Sequence, residues 1–283
     1  MSGRADIGML SVAAVMMMVA QGIASMAEPH FVAPPLFAQG SQSEIAINSI
    51  EQTGSGSGHY LEYGLAAVGV GAALFALDEE IKDFSQWDRI HTGSLNDLAG
   101  EVGNLGTTHM YVATGIFLVG YGALTQKWKG VKVCEELAAG FLLEEGITRA
   151  NKSIFGRQRP YRTNSQFQFF KGGTAFTSGH SATVFTFATI MAKSYPRQNL
   201  GFIGIHREEP LVPILAYSMA GLVGLQRLYV NAHWISDVYG GALVGYGVGS
   251  AVVYLGKRMH LKSIGVVPGA TPKVSASFDF GPR

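Results

Sequence analysis

Ser178-Gly179-His180-Ser181-Ala182-Thr183-Val184-Phe185-Thr186-Phe187-Ala188-Thr189-Ile190-Met191-Ala192-Lys193-Ser194-Tyr195-Pro196 decides how this chain is read. Its apolar residues run without the period-two alternation of a strand, and Pro196 closes the run. The stretch therefore predicts a helix over Ser181–Tyr195. Ser178 fits the N-cap, and the free N–H groups of a first helical turn are donors for an anion. Gly179 lets a ligand come near the backbone. His180 stands where an imidazole can hand a proton to a leaving group. Taken alone, the same residues read better as a capping serine followed by a surface histidine.

The segments on either side are also helical in pattern. Val131–Lys152 places Val133, Leu137, Phe141 and Ile147 roughly on one side and also carries Glu135, Glu136, Glu144 and Glu145. Carboxylates are costly against lipid, so this helix is expected in water, inside protein or at a membrane surface. Tyr60–Leu77 and His109–Leu124 are apolar runs. Ile81–Leu105 is more polar, with breaks at Gly93-Ser94 and Gly103-Asn104-Leu105-Gly106. Leu211–Leu228 and Trp234–Leu255 are two further long apolar candidates. The expected fold class is all-α, a bundle of about six core helices. One stretch departs from this pattern. Val274, Ala276, Phe278 and Phe280 alternate with Ser275, Ser277 and Asp279, a strand with no obvious partner. No helix is a clean run of about 20 lipid-facing residues, so hydropathy leaves a membrane protein and a soluble bundle balanced.

Composition narrows the class. Of 283 residues, 14% are charged and 47% hydrophobic, with a net charge of +1. A near-zero net charge excludes a broad nucleic-acid surface. The single cysteine, Cys134, excludes an intrachain disulfide and reads as a packing residue. Many of the 37 glycines fall inside apolar runs, where they let helices approach closely. Residues 1–27 read as a secretory signal, with Arg4, an apolar Met9–Ala20 and Ser25-Met26-Ala27 before the cleavage point. An uncleaved anchor is the alternative, and both send the remainder out of the cytoplasm, to the periplasm or cell envelope. Residues 28–59, with Gly54-Ser55-Gly56-Ser57-Gly58, form a flexible leader. A helical domain over 60–260 and a C-terminal tail over 261–283 complete the chain. Trp87, Trp128 and Trp234 read equally as membrane-interface markers or bundle packing. Tyr161, Phe167, Phe169 and Phe170 read equally as the wall of an acyl-chain entrance or as core cover.

Two further clusters carry chemistry. Lys152 and Arg159 lie seven residues apart, flanked by Arg157 and Arg162. Arginine forks and a lysine point charge suit phosphate oxygens, although basic residues at a helix C-terminus are also common. Arg227 is followed by His233 and Asp237. On a helix, positions 233 and 237 share a face. A carboxylate accepting from one imidazole nitrogen fixes the tautomer and leaves the other nitrogen as a nucleophile. Histidine and aspartate at this spacing also suit a divalent ion, but two ligands do not close a site, so no metal is assigned.

Lys152-x6-Arg159-Pro160, then Ser178-Gly179-His180, then Arg227-x5-His233-x3-Asp237 resembles the type 2 phosphatidic acid phosphatase and vanadium-dependent haloperoxidase superfamily. The resemblance covers about residues 60 to 256, and its specific part is nine fixed positions. Thr177 stands where the family usually has proline, and Gln226 where it often has serine. The resemblance implies a helical bundle that hydrolyses a phosphate or pyrophosphate monoester with no metal or other cofactor. It implies that Lys152, Arg159 and Arg227 bind phosphate oxygens, and that Ser178 and the Gly179 N–H add hydrogen bonds. It implies that His233 attacks phosphorus to form a phosphohistidine, with Asp237 orienting it. His180 would protonate the leaving group and then activate water.

Apolar, glycine-rich helices favour a lipid phosphate as substrate and membrane association. The glutamates between Val131 and Lys152 favour a soluble phosphomonoester. Haloperoxidase chemistry on vanadate uses the same anion-binding set and is a second class of reading. A non-catalytic envelope protein is a third, opposed by the intact His180, His233 and Asp237.

Overall fold

The computed structural model describes residues 61–106, 112, 114–116, 120, 129–200, 205–267 and 273–280. Its helices are α1 (Leu61–Ala76), α2 (Asp78–Ser85), α3 (Gly93–Leu105), α4 (Lys129–Phe155), α5 (Gly179–Ser194), α6 (Leu211–Tyr229) and α7 (Ile235–Arg258). Residues 112, 114–116 and 120 are also helical, and 3₁₀ turns lie at Asp88–Ile90 and Pro160–Arg162. The expected secretory signal, the leader and Trp128 lie outside the described residues. The chain divides into two units, Met1–Leu77 and Asp78–Arg283. In the first, α1 exposes Leu61, Tyr63, Leu65 and Val68.

The body is a helical bundle, as expected, and α5 lies at its centre. Of the 16 residues of α5, 11 are buried, and no polar face is left for water. A helix apolar on all sides has to be surrounded. Helices α4, α6 and α7 pack around it. Val133 and Leu137 of α4, Phe187 and Ile190 of α5, and Val253 of α7 form one core cluster.

Glycine sets the closest of these approaches. A Cβ on Gly241, Gly245 or Gly249 of α7 would fall 2.5, 2.4 or 3.0 Å from the carbonyl oxygens of Ser178, Ala182 and Thr186 respectively. This stripe at i, i+4, i+8 lets α7 lie directly on the backbone of α5. The N-termini of both helices are thereby brought to the same end of the bundle. Backbone Ser178 N–H donates to Asp237 O at 3.0 Å at that end.

The glutamates of α4 resolve into two groups. Glu136 and Glu144 are buried, at 7% and 0% exposure, whereas Glu135 and Glu145 face outward. Thr148 and Thr183 donate to the two oxygens of Glu144 at 2.8 and 3.1 Å, and Ser194 donates to Glu136. Protein, not bulk water, therefore surrounds the costly pair. Trp234 is 1% exposed and donates from its indole to Gln158 O, so it packs the bundle.

Helices α6 and α7 contain stretches of 19 and 23 residues, Leu211–Tyr229 and Ile235–Lys257, long and apolar enough to cross a membrane. Their charged residues fall at the ends, Arg227 in the last turn of α6, Asp237 in the first turn of α7 and Lys257 in its last turn. Long apolar lengths are thus compatible with charge, contrary to the run-by-run reading.

Two hairpins accompany the described helices. Strand β1 (Gln198–Leu200) pairs antiparallel with β2 (Ile205–Glu209). Strand β3 (Met259–Val267) pairs antiparallel with β4 (Lys273–Phe280), with Met259 opposite Phe280 and Val267 opposite Lys273. The alternating tail therefore does have a partner, the segment just before it. That segment interrupts its apolar residues with Ser263 and Gly265, so its strand character is hidden. The turn signal Pro268-Gly269 was the available clue.

Candidate active site

The three motifs converge where the C-terminal ends of α4 and α6 meet the N-terminal ends of α5 and α7. Lys152 sits in the last turn of α4, and Arg159 follows in the extended segment before Pro160. A Cβ on Gly179 would lie 3.2 Å from Lys152 Nζ, so the ammonium lies against the start of α5. Ser178 is the N-cap expected from the sequence. It is fully buried, and its Oγ accepts from Ser181 N and Ser181 Oγ at 3.4 and 3.0 Å. Both contacts use its lone pairs, which leaves its own proton for an oxyanion.

Arg227 ends α6, and its Nε donates to Gln226 Oε1. The amide at the position where a serine was expected thus holds the guanidinium. Gly103 of α3 makes room for both side chains, since a Cβ there would lie 3.0 Å from Arg227 Nη2. The turn after α6 returns at once. Ala232 N–H donates to Arg227 O, and Asn231 takes the left-handed conformation at φ 55°, which asparagine tolerates well. Arg227 and His233 are thereby held six residues apart in one turn.

His233 is 5% exposed. Its Nδ1 donates to the Ala175 carbonyl at 2.8 Å. That bond fixes the proton on Nδ1 and leaves the Nε2 lone pair available. The expected donor–acceptor bond to Asp237 is not formed, since Nδ1 lies 3.8 Å from Asp237 Oδ2. The i, i+4 expectation assumed that both residues are helical, yet α7 begins at Ile235, after His233. Asp237 Oδ2 instead accepts from Trp234 N at 3.0 Å, and Oδ1 accepts from Arg157 at 2.6 Å. The carboxylate therefore acts on the imidazole through its charge rather than by a direct bond.

The electrostatics are those of an anion site. Burial and the positive charges of Arg227, Lys152 and Arg159 push His180 down to about 4, so it is neutral at pH 7. Burial also lowers His233, against the opposing pull of Asp237, and lowers Lys152. The buried Nε of Arg159 has no hydrogen-bond partner within the protein among the described residues. A buried charged donor left open in this way is costly unless an acceptor comes to it. Among the described residues no group of three His, Cys, Asp or Glu side chains is placed to hold a metal ion.

The basic cluster from Arg149 to Arg162 is divided in use. Exposed Arg149 pairs with Glu145, and exposed Arg162 lies over the Tyr161 ring. Arg157 is fully buried and turned toward carboxylates rather than the anion site. Sequence reasoning missed this residue as anything but a flanking cation. It also missed Asp78, whose partner lies 79 residues away. No local pattern links residues so distant.

A family model for the PAP2 superfamily matches residues 135–260. Over that segment the chain is similar to the PAP2 superfamily. The chain is 32% identical over 130 residues to a lipid A 1-phosphatase of Porphyromonas gingivalis, across 46% of this chain and 25% of the relative. It is 31% identical over 141 residues to a lipid A 1-phosphatase of Rhizobium etli, across 47% of this chain and 53% of the relative. The matches thus span a quarter and about half of those relatives' own lengths. Two crystal structures are similar at 22% identity. LpxE of Aquifex aeolicus has a TM-score of 0.47, covering 63% of this chain and 95% of that one. The PAP2-type phosphatidylglycerolphosphate phosphatase of Bacillus subtilis has a TM-score of 0.48, covering 68% and 94%.

Proposed function

We propose that this protein is a membrane-associated phosphatase that hydrolyses a lipid phosphate monoester through a phosphohistidine on His233. The observation that carries the reading is the convergence of Lys152, Arg159 and Arg227 on two neutral imidazoles, half-buried His180 and buried His233. Three cations and the Ser178 and Gly179 donors hold the phosphoryl oxygens and stabilise the charge that spreads over them in the transition state. His233 Nε2 attacks phosphorus, and the P–O bond to the leaving alcohol breaks as His180 gives that oxygen a proton. His180 requires its proton for this step, and the negative charge of the substrate among the three cations is what restores it. Water then attacks the phosphohistidine, His180 takes the water's proton, and the N–P bond breaks to release phosphate. The cations supply the charge stabilisation that a metal ion would otherwise give, so turnover is expected to survive EDTA.

A lipid substrate is favoured over a soluble ester on three grounds. The buried pair Glu136 and Glu144 no longer argues for an aqueous helix. Both curated relatives carry the name lipid A 1-phosphatase. Phe167 and Phe170, near the site, are 67% and 76% exposed and do not cover the core. Helices α6 and α7 support membrane association, and the N-terminal signal pattern supports export to the envelope.

Phosphate release should be measured with EDTA present on a long-chain lipid phosphate in detergent and on a small soluble phosphomonoester. The expected result is release from the lipid at a markedly higher kcat/KM. Preference for the soluble ester would overturn the lipid assignment. No release from either, together with peroxide-dependent bromination on adding vanadate, would replace the phosphatase reading with the haloperoxidase one.

A further inference from the structure

Arg157 is placed to do more than neutralise a carboxylate. Each of its five N–H groups has an acceptor. Nε and Nη2 donate to Gln166 O at 3.2 and 3.0 Å, and Nη2 also reaches Asp78 Oδ2 at 2.6 Å. Nη1 donates to Asp237 Oδ1 and Ser236 Oγ at 2.6 and 2.8 Å. The Phe169 and Trp234 rings lie 4.9 and 5.3 Å from its guanidinium carbon. A fully satisfied planar fork stacked on aromatic rings has one geometry.

Asp78 completes the assembly. It is the first residue of α2, it is fully buried, and its oxygens accept from Ser236 N at 3.0 Å and from Ser236 Oγ at 2.6 Å. Arg157 reaches His233 by two routes. Its side chain holds Asp237, 3.8 Å from His233 Nδ1. Its carbonyl accepts from Ala175 N at 3.0 Å, and the Ala175 carbonyl takes the Nδ1 proton at 2.8 Å. Gly173 permits this, because a Cβ there would fall 2.0 Å from Arg157 O.

We infer that Asp78 and Arg157 are positioning residues for the His233 nucleophile. With Asp237 alone, Arg157 would cancel the carboxylate that faces the imidazole. Asp78 takes up the second arm of the guanidinium, so the buried triad keeps one net negative charge beside the ring. Burying three charges is expensive, and a hydrophobic cluster would hold these elements together at lower cost. A ligand-free structural tie therefore explains the triad poorly.

The inference rests on the phosphohistidine reading, and the experiment separates the two. Steady-state kinetics on the long-chain lipid phosphate and thermal melting should be measured for Asp78→Asn, Asp78→Glu, Ser236→Ala and His233→Ala. Asp78→Asn is expected to lower kcat at least tenfold with KM within twofold, because the phosphate-binding cations are untouched. Asp78→Glu should recover part of that loss. Ser236→Ala removes a hydroxyl shared by Asp78 and Arg157, keeps all three charges, and should lower kcat severalfold. A wild-type kcat in Asp78→Asn with only a lower Tm would overturn the positioning role. Should Asp78→Asn fail to fold, a wild-type kcat in folded Ser236→Ala overturns it equally. Activity surviving in His233→Ala would instead remove the phosphohistidine reading itself.

Discussion

The nucleophile proposed at His233 needs its proton on the far nitrogen, and in this protein a backbone carbonyl holds it there. The Ala175 oxygen takes the Nδ1 proton of His233 at 2.8 Å, while Asp237 stands at 3.8 Å. The two contributions predict different mutant behaviour. His233→Ala should lower kcat by at least about 1,000-fold in a folded protein, since the proposed mechanism has no other group to attack phosphorus. Asp237→Asn should lower it by about 10–100-fold, because it removes charge and leaves the tautomer intact. Phosphate-release kinetics on the two variants check both. His180 carries a pH prediction. Burial and neighbouring cations depress it from 6.5 to about 4. Its contribution to stability is present above pH 6.5 and is lost as pH falls toward 4, because the unfolded chain binds the proton more readily. The Tm of the wild type should fall across that window, and His180→Gln should flatten the fall.

At the scale of elements, two contacts of α5 decide whether the motifs meet. One is the glycine stripe of α7. A Cβ on Gly245 would lie 2.4 Å from Ala182 O and 2.7 Å from Phe185 Cβ. Gly245→Val must force the helices apart, at a cost of about 2–4 kcal/mol. Thermal denaturation should register this loss, and activity should fall with it because Ser178 and Asp237 separate. The other contact joins α4 to α5 through Glu144 and Thr183. Burial raises Glu144 from 4.5 to about 6. The sign is opposite to that of His180, so its stabilising contribution is full below pH 4.5 and is lost as pH rises through 6. Glu144→Gln should therefore stabilise the protein at pH 7.5 by about 1–2 kcal/mol and have little effect at pH 4.5. Denaturant melts at the two pH values measure it.

For the whole molecule, the proposed lipid substrate requires an apolar approach to the buried candidate site. Phe167, Phe170 and Tyr161 are 67%, 76% and 53% exposed, beside exposed Arg162 and Lys171. Phe170 N–H donates to Phe155 O at 2.8 Å, and Lys171 N–H to Gly156 O at 2.9 Å, which ties this rim to the segment carrying Arg159. Phe170 adopts φ 58°, an uncommon conformation for a bulky residue. Aromatic rings with basic neighbours suit a lipid surface. Replacing Phe167 with serine and Phe170 with asparagine should lower kcat/KM on the lipid phosphate about tenfold and leave a soluble ester and Tm unchanged. Equal losses on both substrates would show that the rim shapes the site itself.

The helical bundle was legible in the sequence, and so were the three motifs that the structure brings together. Apolar periodicity marks a buried helix wherever it occurs, and the spacings 152–159, 178–180 and 227–237 keep each motif within one turn or helix end. The Ser178 cap was legible for the same local reason. What only the tertiary structure decided is non-local. Asp78 pairs with Arg157 across 79 residues, and the Ala175 carbonyl reaches His233 across 58. Burial likewise separated Arg157 from the cations of the candidate site and Glu144 from Glu135 and Glu145. Charge identity is written in the chain, but which charge is desolvated, and against which partner, depends on how the helices pack.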